Sequence, residues 1–163
     1  MIRLFARAAP LAVALASFVT APAVAAPLGT PAEVARTEPK PHPGRSPAAV
    51  VDAAFAAINR HDAAGLAALY APDAVIVNSD ACAPQTGPDA VRRGHQALIA
   101  ALPDLSVEIT DRVTQGDQVA LIFVAHSKGL GPTGELLFSD FMTVRHGLIT
   151  RDVTLFNPGK PCA

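Results

Sequence analysis

Apolar residues recur at helical spacing in the first half of the folded region and at every second position in the last. After Ser46-Pro47, a capping residue and a good first-turn residue, Val51, Ala54, Phe55 and Ile58 fall on one helical face. Asp62 is placed to cap a second, short helix carrying Leu66, Leu69 and Tyr70, which Pro72 ends. Ala74 to Asn78 is a β-branched run and predicts a strand. Gly87-Pro88 opens a third helix with a stripe of Val91, Leu98 and Leu102, and Pro103 stops it. The period then changes to two. Leu105 to Val113, Gln118 to Ser127, Glu135 to Arg145 and Leu148 to Phe156 predict four strands, separated by Gln115-Gly116-Asp117, a Gly-Pro-rich loop around Pro132, and His146-Gly147. Helices first and consecutive antiparallel strands afterwards define an α+β layer fold.

Composition narrows the function classes. The chain has 163 residues, half of them hydrophobic, which suits one domain with a sizeable core. Lys and Arg number 13 against 14 Asp and Glu, with no basic cluster, so nucleic acid is set aside as a partner.

The N-terminus adds a compartment. Arg3 and Arg7, an apolar run from Leu11 to Val19, and Ala23-Val24-Ala25 form a signal-peptide pattern over residues 1–25, implying a periplasmic or secreted protein with no membrane anchor after cleavage. Residues 26–45 are Pro-rich and polar and read as a flexible leader. The folded domain is expected over residues 46–158, followed by a tail at 159–163. In an oxidising compartment Cys82 and Cys162 are read as one bridge from the loop after the first strand to the tail, with two unpaired thiols as the other reading. Closing so long a loop stabilises by about 4 kcal/mol in the chain-entropy model.

The order of several segments carries a resemblance. Val50-Val51-Asp52 to Asn59, Asp62 to Leu69-Tyr70-Ala71-Pro72-Asp73-Ala74-Val75, Gly116-Asp117-Gln118-Val119-Ala120, and Gly147-Leu148-Ile149 to Phe156 together resemble the nuclear transport factor 2-like superfamily, which includes ketosteroid isomerases and SnoaL-like polyketide cyclases. The resemblance implies a cone: a curved antiparallel sheet wrapped around three N-terminal helices, with an internal pocket at the open end. It says less about activity, because this fold hosts enzymes and binding modules alike.

Candidate chemistry concentrates in the last hairpin. A three-residue loop on Arg145-His146-Gly147, with Gly147 as a bulge, would pair Met142 with Thr150, Asp140 with Asp152 and Phe138 with Thr154. A two-residue turn on His146-Gly147 would instead force His146 to positive φ. In the bulged register all six residues share the face turned to the core. Two carboxylates opposed on a dry face repel each other, so one should keep its proton toward neutral pH and act as a hydrogen-bond donor or as a general acid and base.

By the resemblance, Asp140 matches the oxyanion-stabilising Asp of the isomerases, and Asp152 falls where the cyclases carry an inward His. The departures are as informative: Asn78 stands at the isomerases' proton-abstracting Asp, Ala54 at their oxyanion-hole Tyr, and Thr154 at the cyclases' inward Asp. Both mechanisms lose their base, so steroid isomerisation by that route is not expected. Candidate catalytic residues are therefore Asp140, Asp152 and His95, the last on the apolar stripe of the third helix, where a hydrogen-bonded core histidine is the first reading and a cavity-facing acid or base the sharper one. Tyr70, Asn78, Phe123, Phe138, Met142 and Thr154 are candidate pocket residues, with the Tyr70 hydroxyl sent to a polar partner.

No metal-ligand spacing, phosphate loop or nucleophile elbow is present in the sequence, and no cofactor is expected. On the opposite sheet face Ile122, Val124, Ile149, Val153 and Leu155 are also apolar, which predicts a covering homodimer partner. Two functions stay open: a pocket for a small apolar ligand, or an isomerase, cyclase or dehydratase acting on an apolar carbonyl compound.

Overall fold

The computed structural model describes residues 44–156. The expected signal peptide, most of the leader, Cys162 and the tail lie outside the described residues. The elements run α1 (Pro47–Asn59), α2 (Ala63–Ala67), β1 (Tyr70–Asn78), β2 (Gln85–Thr86), α3 (Gly87–Ala101), β3 (Ser106–Gln115), β4 (Gln118–His126), β5 (Glu135–Arg145) and β6 (Leu148–Leu155). The six strands form one curved, unclosed sheet in the order β2-β1-β6-β5-β4-β3.

Local chemistry sets the helix starts as expected. The Ser46 hydroxyl accepts from the Ala49 N–H at 3.3 Å, and Asp62 Oδ1 accepts from the Gly65 N–H at 2.7 Å. Each such cap is worth about 1 kcal/mol. α1 buries Val50, Val51, Ala54, Phe55 and Ala57 and lies against β3, β4 and β5. Its last residue, Asn59, exchanges two hydrogen bonds with the Val107 backbone, at 2.9 and 2.7 Å, which fixes the helix end to an edge strand.

Four sequence expectations need correction. The second helix stops at Ala67, and Tyr70 opens β1 instead of ending the helix. Pro72 disfavours the helical region for the residue before it and lacks an N–H for a ladder, so the chain extends and its register against β6 shifts between Tyr70 and Val75. The sheet is also not wholly antiparallel, because β1 and β6 run parallel. On α3 the buried residues are Gly87, Ala90 and His95, while Leu98 is exposed. Gly87 sits at φ 78, and a Cβ there would lie 2.7 Å from the Pro72 carbonyl oxygen, so this junction of β2 and α3 requires glycine.

The fourth correction concerns the last hairpin. Arg145 pairs with Leu148, and both His146 (φ 52) and Gly147 (φ 76) are left-handed, the pattern of a two-residue type I′ turn. The three-residue loop does not form. The register then shifts at Thr150, because Val144 pairs with Ile149 whereas Thr143 pairs with Arg151. The resulting partners are Asp140 with Thr154 and Met142 with Asp152. Ile149, expected on the outer face, is instead fully buried on the inner one.

Candidate functional site

The bulge at Thr150 decides which side chains enter the core. A two-residue turn alone would set Asp140 opposite Val153 and send Asp152 to the other surface, since one residue of slip exchanges the faces of a strand. The extra residue restores the parity, and Asp140 (3 % exposed) and Asp152 (6 % exposed) are both buried on the inner face. They stand diagonally, one rung apart, where the sequence reading had them directly opposite.

Three rungs across the sheet define their surroundings. The middle rung runs Leu121, Asp140, Thr154, Asn78, and the next runs Val119, Met142, Asp152, Ile76. On the other side of Asp140 lies an aromatic row. Phe123 stacks on Phe138 at 4.8 Å, Phe138 meets Phe156 at 4.8 Å, and Phe55 from α1 meets Phe123 edge-on at 5.1 Å. Two acids therefore sit in a wall of hydrocarbon. The ion pairs found among the described residues use other acids: Asp52, Asp62, Asp89, Asp117 and Glu135.

The hydrogen bonds are unequal. The Tyr70 hydroxyl donates to Asp152 Oδ2 at 2.5 Å, and the Thr154 hydroxyl reaches Asp152 Oδ1 at 3.5 Å. Asp140 Oδ1 is buried without a hydrogen-bond partner. Burial, then the Asp152 charge, then a hydrogen bond to Asp152 push the Asp140 carboxyl well above the usual aspartate range, with the Phe141 N–H acting the other way. Burial also raises Asp152, but hydrogen bonds from Asp140, Tyr70 and Thr154 oppose the rise. Burial, followed by the Asp152 charge, lifts the Tyr70 phenol well above its ordinary value, so it stays a donor. The directions of these shifts favour Asp140 over Asp152 as the carrier of a proton shared by the pair.

Tyr70, Asp140, Asp152, Thr154, Asn78, Met142, Phe123 and Phe138 are thus brought together on one surface. His95 is placed elsewhere. It is buried on α3 with Nε2 unpartnered, its ring lowered in pKa by burial and by the nearby His61, with Asp62 acting the other way. His61 is held at φ 56 with Nε2 2.8 Å from the Leu105 carbonyl oxygen. Among the described residues no group of three or more His, Cys, Asp and Glu side chains could hold a metal ion. Sequence reasoning missed the Thr150 bulge, which has no composition signal, and Phe156 in the aromatic row, which two-residue spacing from Thr154 announces.

Comparison with known proteins assigns this arrangement to a family. The model for the SnoaL-like domain matches residues 51–152, from α1 through both aspartates. The chain belongs to the SnoaL-like domain family. Its structural relatives agree with that placement. IdmH from Streptomyces antibioticus, a candidate polyketide cyclase, is 29% identical with a TM-score of 0.59, over 68% of this chain and 91% of its own. A ketosteroid isomerase-like protein from Catenulispora acidiphila, solved with trimethylamine, is 25% identical with a TM-score of 0.59, over 66% of this chain and 84% of its own. A candidate polyketide cyclase from Sinorhizobium meliloti, 24% identical with a TM-score of 0.58 over 65% and 93%, shares the fold. No curated protein matches this SnoaL-like chain.

Proposed function

We propose that this SnoaL-like protein is an exported binding protein for a small apolar molecule, held with a carbonyl or similar acceptor against the Asp140 carboxyl group. The observation that carries the reading is the Asp140 side chain: buried beside a second carboxyl group that helps push its pKa up, and with one oxygen unpartnered. An unmet buried polar atom costs roughly 1–3 kcal/mol, a cost that a ligand acceptor would remove. Phe123, Phe138 and Met142 offer the apolar contact, and Asn78 and Thr154 the polar edge of the same rungs.

The test is thermal stabilisation by a panel of apolar ketones, quinones and phenols. A binder should stabilise the wild type and lose at least tenfold in affinity in Asp140→Leu, which keeps the approximate shape and removes the hydrogen-bond donor. No stabilisation by any member would count against the reading. A second reading, an isomerase-, cyclase- or dehydratase-type enzyme, is favoured by the pairing of an acid with a carboxylate at one place. It predicts turnover of a bound carbonyl compound that Asp140→Asn and Asp152→Asn both suppress without unfolding.

Three further expectations belong to this proposal. Export rests on the pattern of residues 1–25, and N-terminal sequencing of the exported protein should begin at Ala26. Cys82 is expected to bridge to Cys162, in which case alkylation adds no mass before reduction. The outer sheet face exposes Val75, Ile122, Leu137, Phe141 and Leu155, and a second copy is the expected cover. Sedimentation should report a dimer that Phe141→Glu dissociates.

A further inference from the structure

The two buried carboxyl groups are chemically alike, and nothing in their identity says which should hold the shared proton. The asymmetry comes from a third strand. Tyr70 is 4 % exposed, and its place at the start of β1 is fixed by β6. It pairs with Ile149, and the Ile149 N–H donates to the Leu69 carbonyl at 2.8 Å. From there the phenol reaches Asp152 and not Asp140.

A carboxylate can only accept, whereas a protonated carboxyl must also place a donor. Both oxygens of Asp152 already receive hydroxyl donors, Tyr70 at Oδ2 and Thr154 at Oδ1. Putting a proton on Asp152 would displace or oppose one of them. Asp140 has an oxygen with no such occupant. The titratable groups that act on these two carboxyls among the described residues are each other and Tyr70.

We infer that Tyr70 is a positioning residue: by donating its hydroxyl to Asp152 it holds that carboxyl as the acceptor of the pair and leaves Asp140 to carry the proton. The inference deepens the proposed function and rests on its reading of the pair. It makes the direction of the site, and not only its presence, a consequence of one phenol.

The chain contains a single tyrosine, so biosynthetic replacement of tyrosine by 3-fluorotyrosine alters Tyr70 alone. Fluorine makes the phenol a stronger donor and keeps its shape, while Tyr70→Phe removes the donor. The readout is the 13C shift of the Asp140 and Asp152 carboxyl carbons across a pH series, assigned with Asp140→Asn and Asp152→Asn. Hydrogen bonds to charged groups are worth roughly 1.5–3 kcal/mol, so Tyr70→Phe should move the proton's partition toward Asp152 by about tenfold or more at neutral pH. Fluorotyrosine should move it the opposite way, deeper onto Asp140. A partition that stays within twofold in both proteins, with one proton still shared, overturns the role of Tyr70 and leaves the acidic pair standing. Two ordinary aspartate titrations in the wild type overturn the pair itself. Should Tyr70→Phe fail to fold, the fluorinated protein decides the matter, and an unchanged partition there overturns the inference.

Discussion

The β3–β4 and β5–β6 hairpins use the same backbone device to opposite ends. Each closes with a two-residue turn, Gly116-Asp117 in one and His146-Gly147 in the other. Each then inserts one extra residue, a threonine whose hydroxyl donates across the ladder at 3.2 Å: Thr110 to the Ile122 carbonyl and Thr150 to the Thr143 carbonyl. In β3, an edge strand, the bulge returns Val107 and Ile109 to the inner face, as the hydrophobic effect demands. In β6, which lies between β1 and β5, it turns Asp152 and Thr154 inward and leaves Val153 and Leu155 outside. One bulge obeys the hydrophobic pattern and the other violates it. Departures of that kind gather at functional sites, where stability is given up for chemistry.

Removing the bulges is the harshest way to break this comparison. Deletion of Thr150 should expel Asp152, draw Val153 inward and disturb pairing on both sides of β6, at a cost of about 4 kcal/mol. Deletion of Thr110 disturbs one ladder on an edge and should cost about 2 kcal/mol. Urea denaturation measures both, and equal losses would deny β6 its special position.

The next effect is a gain. Because the folded-state pKa of Asp140 lies above its unfolded value, the native state binds more protons, and stability falls as pH rises from about 3.9 through the raised folded value. Asp140→Asn should flatten that slope and stabilise the protein at neutral pH by about 1 kcal/mol. His95 supplies a smaller contrast of the opposite sign. Its folded pKa is lowered, so stability is full above about 6.5 and declines as pH falls below that value. His95→Gln should remove this decline, of about 1 kcal/mol or less, and chemical denaturation at several pH values separates the two limbs. Smallest of all, Thr150→Val and Thr110→Val should each cost about 0.5–1 kcal/mol, the net value of one hydroxyl hydrogen bond.

The helices, the four long strands and the inward parity of both aspartates were legible in the sequence, because periodicity and turn residues report local geometry. Asp140 and Asp152 share a face for a reason the pattern did not contain. The expected glycine-bulge loop and the observed tight turn with a later bulge differ in register by two residues, which preserves parity, so the facing was right and the pairing was not. A bulge at Thr150 leaves no mark on composition, and its side effect was the misplacement of Ile149. Tyr70 was read as a pocket hydroxyl seeking a polar partner, but only the parallel pairing of β1 with β6, a contact between distant segments, names that partner as Asp152. The grouping of His95 with His61 likewise depends on how α3 meets the turn before α2, which helical spacing does not encode.

The central claim is that Asp140 holds a proton at neutral pH inside a wall of hydrocarbon, beside an ionised Asp152. Isotope-edited infrared spectroscopy of protein labelled at its aspartate carboxyls reads this directly. At pH 7 there should be one carboxylic-acid carbonyl band, absent from Asp140→Asn and retained in Asp152→Asn. A spectrum with carboxylate bands alone, or an acid band that disappears only when Asp152 is replaced, would contradict the account.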